Sequence, residues 1–200
     1  MNLQIIDYGS GNLQSVANAF NHIGLEAGIA RDAADVKKAD LLVLPGVGSF
    51  DNAIASLEKQ DVLDQIKKHI KSGKQYLGMC LGLQVLYESS QEGSKKGLGI
   101  LKGTVKKFIP KNKCKIPHMG WNSIRLKRDI PGLKDGMYYY FVHSYYACPD
   151  NDSEVAASTD YAGISFASVV NKDNITAMQF HPERSQDAGL TFIREYMKKI

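Results

Sequence analysis

Cys80 stands in the segment GMCLG at residues 78–82, with a glycine two positions away on each side. An apolar run, QYLGM, leads up to it and LGLQVLYESS follows. A thiol nucleophile held on a sharp turn between a strand and a helix needs this pattern. The chain reverses abruptly, the nucleophile takes a strained backbone, and side chains two residues away would collide. The turn also sets the thiol at a helix N-terminus, where unpaired N–H groups and the helix dipole favour a thiolate. The amide of Leu81 then faces the oxyanion of a tetrahedral intermediate. The competing reading is a small buried apolar residue, since free cysteines are among the most buried residue types and most are inert. Cys114 and Cys148 have no comparable glycine context.

A cysteine nucleophile needs a base, usually histidine oriented by a third group. His181 lies in QFHPERS, just after an apolar run, with Glu183 two residues on. In an extended segment those two side chains point the same way, so a carboxylate can orient an imidazole and stabilise its charged form. His143, after YYYFV, is a rival base. His22 and His69 fall in helical segments and are expected to face solvent, and His118 sits in PHMGWN, read as a loop. Cys114 and His118 lack a second ligand pair, so no zinc site is expected. A second oxyanion donor is expected from the PGVG loop at residues 45–48, whose glycines allow close backbone approach and reorientation of the Gly46–Val47 peptide.

The elements that must position these groups follow from periodicity. LQII, the weak run EAGIA, LLVL and QYLGM read as strands, and helical spacing separates them: Leu13, Val16, Ala17, Phe20 and Ile23 up to Gly24, then Ile54, Leu57, Val62, Leu63, Ile66 and Ile70. LGLQVLYESS reads as the next helix. This alternation predicts an α/β fold, a mostly parallel central sheet with helices on both faces. In the second half GILKGTVKKF, GMYYYFVHSYYACP and ISFASVV…NITAMQF predict antiparallel additions, with a hairpin turn at residues 171–174 and a final helix from about Gln186. The chain of 200 residues is expected to form a single domain over residues 1–200, with no linker or repeat.

Composition excludes several classes. The formal net charge of +4 with scattered lysine pairs argues against nucleic acid. No apolar run reaches the roughly 18–20 residues of a membrane span. The N-terminal MNLQIIDYG lacks a signal-peptide pattern, and three dispersed cysteines suit a reducing cytoplasm. GSGN after the first strand lacks the third glycine of a dinucleotide fingerprint, Gln14 standing there, and no phosphate-binding P-loop occurs.

PGVGSF, GMCLGLQ and QFHPE, in that order, resemble the class I (triad-type) glutamine amidotransferases, a flavodoxin-like family. DYGSGNL, PHMGWN, YYYFVHSYY and FHPERS carry the likeness over nearly the whole chain, to the glutaminase branch that serves imidazole glycerol phosphate synthase. The resemblance implies hydrolysis of glutamine without a cofactor. It also implies a heterodimer with a (β/α)8 cyclase subunit that uses the ammonia in histidine biosynthesis. It makes Cys80 the nucleophile, His181 the base, Glu183 its orienter, and Val47 and Leu81 the oxyanion donors. Gly46, Gly48, Gln84, Glu92, Ser144 and Tyr145 would contact glutamine. Gly11 and Asn12, with His118, Met119, Trp121 and Asn122, would face the cyclase. Arg184 departs from the lysine of the family pattern, and the two are not interchangeable in detailed contacts. The alternatives are the glutaminase of pyridoxal phosphate synthase, a γ-glutamyl hydrolase or cysteine peptidase on a related scaffold, or a silent binding module.

Overall fold

The computed structural model describes residues 1–9, 12–110 and 113–200. The first half runs β1 (Leu3–Ile6), α1 (Leu13–His22), β2 (Gly28–Ala30), α2 (Ala33–Lys38), β3 (Leu41–Leu44), α3 (Phe50–Lys59), α4 (Leu63–Lys71), β4 (Gln75–Met79) and α5 (Leu81–Gln84). Next come β5 (Ser89–Ser90), β6 (Gly103–Lys107), β7 (His118–Ser123), β8 (Arg125–Leu126), β9 (Tyr138–His143) and β10 (Tyr145–Pro149). The chain closes with β11 (Val155–Tyr161), β12 (Ile164–Lys172), β13 (Ile175–Met178) and α6 (Gln186–Met197).

One sheet orders its strands β2-β1-β3-β4-β13-β12-β11-β8. The first five are parallel and the rest antiparallel, as expected from the change of pattern at mid-chain. Period-two alternation explains why LLVL is wholly apolar. Leu41 and Val43 pack with Ile5, Phe20 and Phe192 on one face, and Leu42 and Leu44 pack with Phe50, Ile54 and Leu57 on the other. Loops at the carboxyl ends of β3, β4 and β13 therefore converge on one edge, where open α/β sheets place their ligands. Helix ends are set locally. Asp32 accepts from the amides of Ala34 and Asp35 to start α2, and Gly24, at φ 82°, stops α1.

Two expectations about the elements need correcting. LGLQVLYESS is not one long helix, because α5 lasts only from Leu81 to Gln84. The carbonyls of Val85, Leu86 and Tyr87 are taken by the amides of Leu98, Ile100 and Gly99, so the segment is tied laterally instead of continuing its own ladder. PHMGWN is not a loop: it forms β7, antiparallel to β9, with Trp121 opposite Tyr140 and His118 opposite His143. VAASTDY, unassigned from sequence, forms β11 between β12 and β8. Among the described residues no helix is long and apolar enough to cross a membrane.

Candidate active site

Cys80 stands between β4 and α5 in a backbone conformation of φ 51°, ψ −99°. A non-glycine residue there carries strain on the order of 1–3 kcal/mol. Its amide still donates to the Met178 carbonyl at 2.7 Å, so the sheet ladder holds the elbow from β13. The flanking glycines are steric necessities. A Cβ on Gly82 would lie 1.8 Å from the Leu44 carbonyl oxygen, and one on Gly78 would lie 2.6 Å from the Gly82 carbonyl oxygen. That Gly82 oxygen accepts a 2.7 Å bond from the buried Tyr76 hydroxyl.

His181 follows β13, and its Nδ1 pairs with Glu183 Oε1 at 2.8 Å. Both side chains are almost wholly buried. The pair forms as expected, but for a different reason: residues Pro182–Arg184 make a 3-10 turn, which brings Glu183 back onto the ring, rather than an extended segment. The His181 amide donates to the Tyr140 carbonyl at 2.9 Å, and its carbonyl accepts from Ser185 Oγ at 2.6 Å. Gly189 of α6 lets the final helix rest on this turn, since a Cβ there would sit 1.8 Å from the Pro182 oxygen.

His181 Nε2 is buried, has no hydrogen-bond partner among the described residues and lies near the Cys80 sulfur. Burial alone pulls the imidazole pKa down. The Cys80 sulfur and then Glu183 outweigh it, and the net shift is upward, well above the ordinary imidazole value. A raised folded-state value means the charged ring stabilises the fold below the usual imidazole pKa and loses that contribution as pH rises through the raised one. Glu183→Gln removes one source of the shift. We expect turnover at this site to fall on the order of 10²–10³-fold, less than for a serine triad because a thiolate is the better nucleophile. The alkaline limb of the pH–rate profile should move to lower pH. An unchanged limb and rate would show that Glu183 does not orient His181.

A cavity of about 280 Å³ opens beside Cys80. Of the sequence-predicted residues, Val47, Gly48, Leu81, Gln84, Glu92, Ser144 and Tyr145 line it with the cysteine. Gly46 lies off the lining, wedged so that a Cβ would meet the Tyr8 hydroxyl at 2.0 Å. Gly48 has φ 109°, the left-handed side of the map. Glu92 accepts from the Phe50 amide at 2.7 Å, and burial raises its pKa. Gln84 Nε2 donates to the Tyr145 carbonyl at 3.0 Å and to Gln179 Oε1 at 3.2 Å. With its nitrogen turned inward, Gln84 keeps Oε1 for the cavity. Two acceptors, this oxygen and the Glu92 carboxylate, suit the α-ammonium group of an amino acid.

Sequence reasoning missed Gln179. It is fully buried and donates from Nε2 to Cys80 Sγ at 3.5 Å. Its signal was its place in QFHPE, two positions before His181. His143, the rival base, lines the cavity but is spent elsewhere. Nδ1 bonds the Tyr145 carbonyl at 2.7 Å, Nε2 faces His118 Nδ1 at 3.0 Å, and burial lowers its pKa to about 3. His69 does not face solvent either, being buried with Nε2 2.8 Å from the Gln75 carbonyl.

Of the residues expected to face a partner, Met119 and Trp121 are 62% and 45% exposed on β7. His118 is the exception. It is buried, stacked on Tyr161 and Phe141 at 3.9 and 4.8 Å. Asn122 is half-buried and bonds the Asp160 carbonyl at 3.0 Å. Asn12 is exposed and caps α1, accepting from the Ser15 amide. Gly11 lies outside the described residues. The Arg184 guanidinium covers the Tyr140 ring at 4.8 Å, and Trp121 meets the same ring edge-on at 6.3 Å.

Residues 4–198 match the family model of glutamine amidotransferase class-I. The chain belongs to this family. Among its relatives, the imidazole glycerol phosphate synthase subunit HisH of Caldanaerobacter subterraneus subsp. tengcongensis is 47% identical over 98% of this chain and 97% of its own length. The HisH subunit of Methanothermobacter thermautotrophicus is 48% identical over 99% and 98%. A crystal structure of a glutamine amidotransferase superposes with a TM-score of 0.77 over 100% of both chains at 16% identity. PurLQS from Thermotoga maritima gives 0.74 over 100% and 99% at 17% identity. These structural likenesses support the fold.

Proposed function

We propose that this chain is the glutaminase subunit of imidazole glycerol phosphate synthase and that Cys80, His181 and Glu183 release ammonia from glutamine. The observation that carries the reading is the strained Cys80 elbow lining a cavity sized for an amino acid, with the buried His181–Glu183 pair near enough that the Cys80 sulfur raises the imidazole pKa. The Cys80 thiolate attacks the side-chain carboxamide carbon. The Leu81 amide and a backbone N–H from residues 45–48 receive the oxyanion. The imidazolium of His181 protonates the departing nitrogen, and ammonia leaves. The neutral ring then takes a proton from water, which hydrolyses the glutamyl thioester and frees glutamate and the thiolate.

Ammonia released into water becomes ammonium, which is no nucleophile, so the product needs a sheltered acceptor. A (β/α)8 cyclase subunit in a cytoplasmic heterodimer supplies that acceptor. Met119, Trp121 and the neighbouring Tyr138 expose apolar surface on the β7–β9 ribbon, which suits such an interface. Mixed with the cyclase and its ribonucleotide substrate, the chain should support glutamine-dependent product formation, with glutamine turnover rising on the order of 10²-fold or more over the isolated chain if closing the oxyanion hole requires the partner. Equal turnover with and without the cyclase would refute the coupling. Product formed from ammonium salts but never from glutamine would refute the function.

A further inference from the structure

His118 and His143 take no part in the chemistry above, yet they belong to one hydrogen-bonded chain whose direction is determined. The Tyr145 carbonyl can only accept, so His143 Nδ1, 2.7 Å away, carries the proton. Both rings are buried among aromatic side chains, and among the described residues no carboxylate bonds either one, which keeps both neutral. His143 Nε2 is therefore an acceptor, and His118 Nδ1, at 3.0 Å, donates to it. His118 Nε2 then accepts from Asn122 Nδ2 at 3.3 Å. The Asn122 amide is itself oriented, donating to the Asp160 carbonyl at 3.0 Å and accepting from the Ser123 amide at 2.8 Å. At the other end the Tyr145 carbonyl also receives Gln84 Nε2, which touches Gln179 next to Cys80.

We propose that His118 and His143 are positioning residues for glutamine: they fix the Tyr145 carbonyl that turns the Gln84 amide, so that Gln84 presents its oxygen to the cavity. The inference rests on the glutaminase reading of this site. Gln84 could rotate its amide at little steric cost, because its two ends are nearly the same size. What prevents rotation is a carbonyl held in place to accept its nitrogen. His118 lies off the cavity, so an effect of its substitution on substrate affinity would travel through this chain.

The test is His118→Phe, assayed in complex with the cyclase. Phenylalanine keeps a ring between Tyr161 and Phe141 but removes both nitrogens. The expected result is a rise in KM for glutamine of about 5–10-fold with kcat within about twofold, the loss expected for one hydrogen bond acting on ground-state and transition-state binding alike. Alkylation of Cys80 by iodoacetamide, which needs no amino-acid recognition, should keep its wild-type rate. His118→Gln, which retains a donor and an acceptor, should restore much of the affinity. Nitrogen-15 NMR of the wild-type protein should show both rings neutral with the proton on Nδ1, a readout that holds even if a variant fails to fold. A wild-type KM in His118→Phe, equal falls in kcat/KM and alkylation rate, or an Nε2–H or doubly protonated ring at either histidine would overturn the inference. Failure of the glutaminase reading would show separately, as absence of glutamine turnover in the wild-type complex.

Discussion

Cys80→Ala should abolish glutamine hydrolysis, with a loss of about 10⁴-fold or more in kcat, because removal of a nucleophile leaves only binding and oxyanion contacts to act. Alanine keeps the Cβ and tolerates the same φ of 51° as well as cysteine does, so the elbow should persist. Cys80 has a sulfur contact with Gln179 at 3.5 Å and a long one to the Val142 carbonyl at 4.0 Å, neither of which holds the fold. The variant should therefore still bind the cyclase and still allow product formation from ammonium salts. Measuring glutamate release and ammonium-supported turnover on the same preparation separates lost chemistry from lost structure. Residual hydrolysis above a hundredth of wild type would exclude Cys80 as the nucleophile.

Gly82→Ala should destroy the site by another route. Its new Cβ would lie 1.8 Å from the Leu44 carbonyl oxygen, a backbone atom within β3 that has no rotamer with which to yield. Either α5 or the end of β3 must move, and both carry site residues: Leu81 and Gln84 on one, the PGVG loop on the other. The Tyr76–Gly82 bond, buried and 2.7 Å long, would be stretched or broken. Overpacking combined with a lost buried bond should cost about 3–5 kcal/mol. For a chain of this length that lowers Tm by roughly 6–20 °C. Thermal denaturation with glutaminase assay would show both losses together. A variant with wild-type Tm would mean that the elbow is looser than its packing requires.

How much of this was legible in the residues depends on how local each cause is. The elbow was legible because its constraint acts over five residues, and glycines at 78 and 82 state it directly. The His181–Glu183 pair was legible from spacing, although a 3-10 turn rather than extended backbone closes it. The parallel strands were legible because both of their faces are covered, which leaves wholly apolar runs such as LLVL. The brevity of α5 was not, since the carbonyls that would extend it are claimed by amides more than ten residues later in the chain. PHMGWN lacks the alternation of a strand because its one buried position is His118, held by bonds to His143 and Asn122 that the local pattern does not reveal. Gln179 was missed for the same reason: a glutamine in a buried strand end means little until Cys80 and Gln84 are seen on either side of it.

On this mechanism Cys80 is the thiol that attacks the glutamine carboxamide. A glutamine analogue carrying an electrophilic carbon in place of the amide tests it most directly. The chain, with the cyclase present, would be incubated with the analogue and mapped by peptide mass spectrometry. One adduct is expected, on Cys80, suppressed by excess glutamine and absent in Cys80→Ala, with Cys114 and Cys148 unmodified. Labelling of Cys114 or Cys148 in its place, or a Cys80 adduct that glutamine does not suppress, would contradict it.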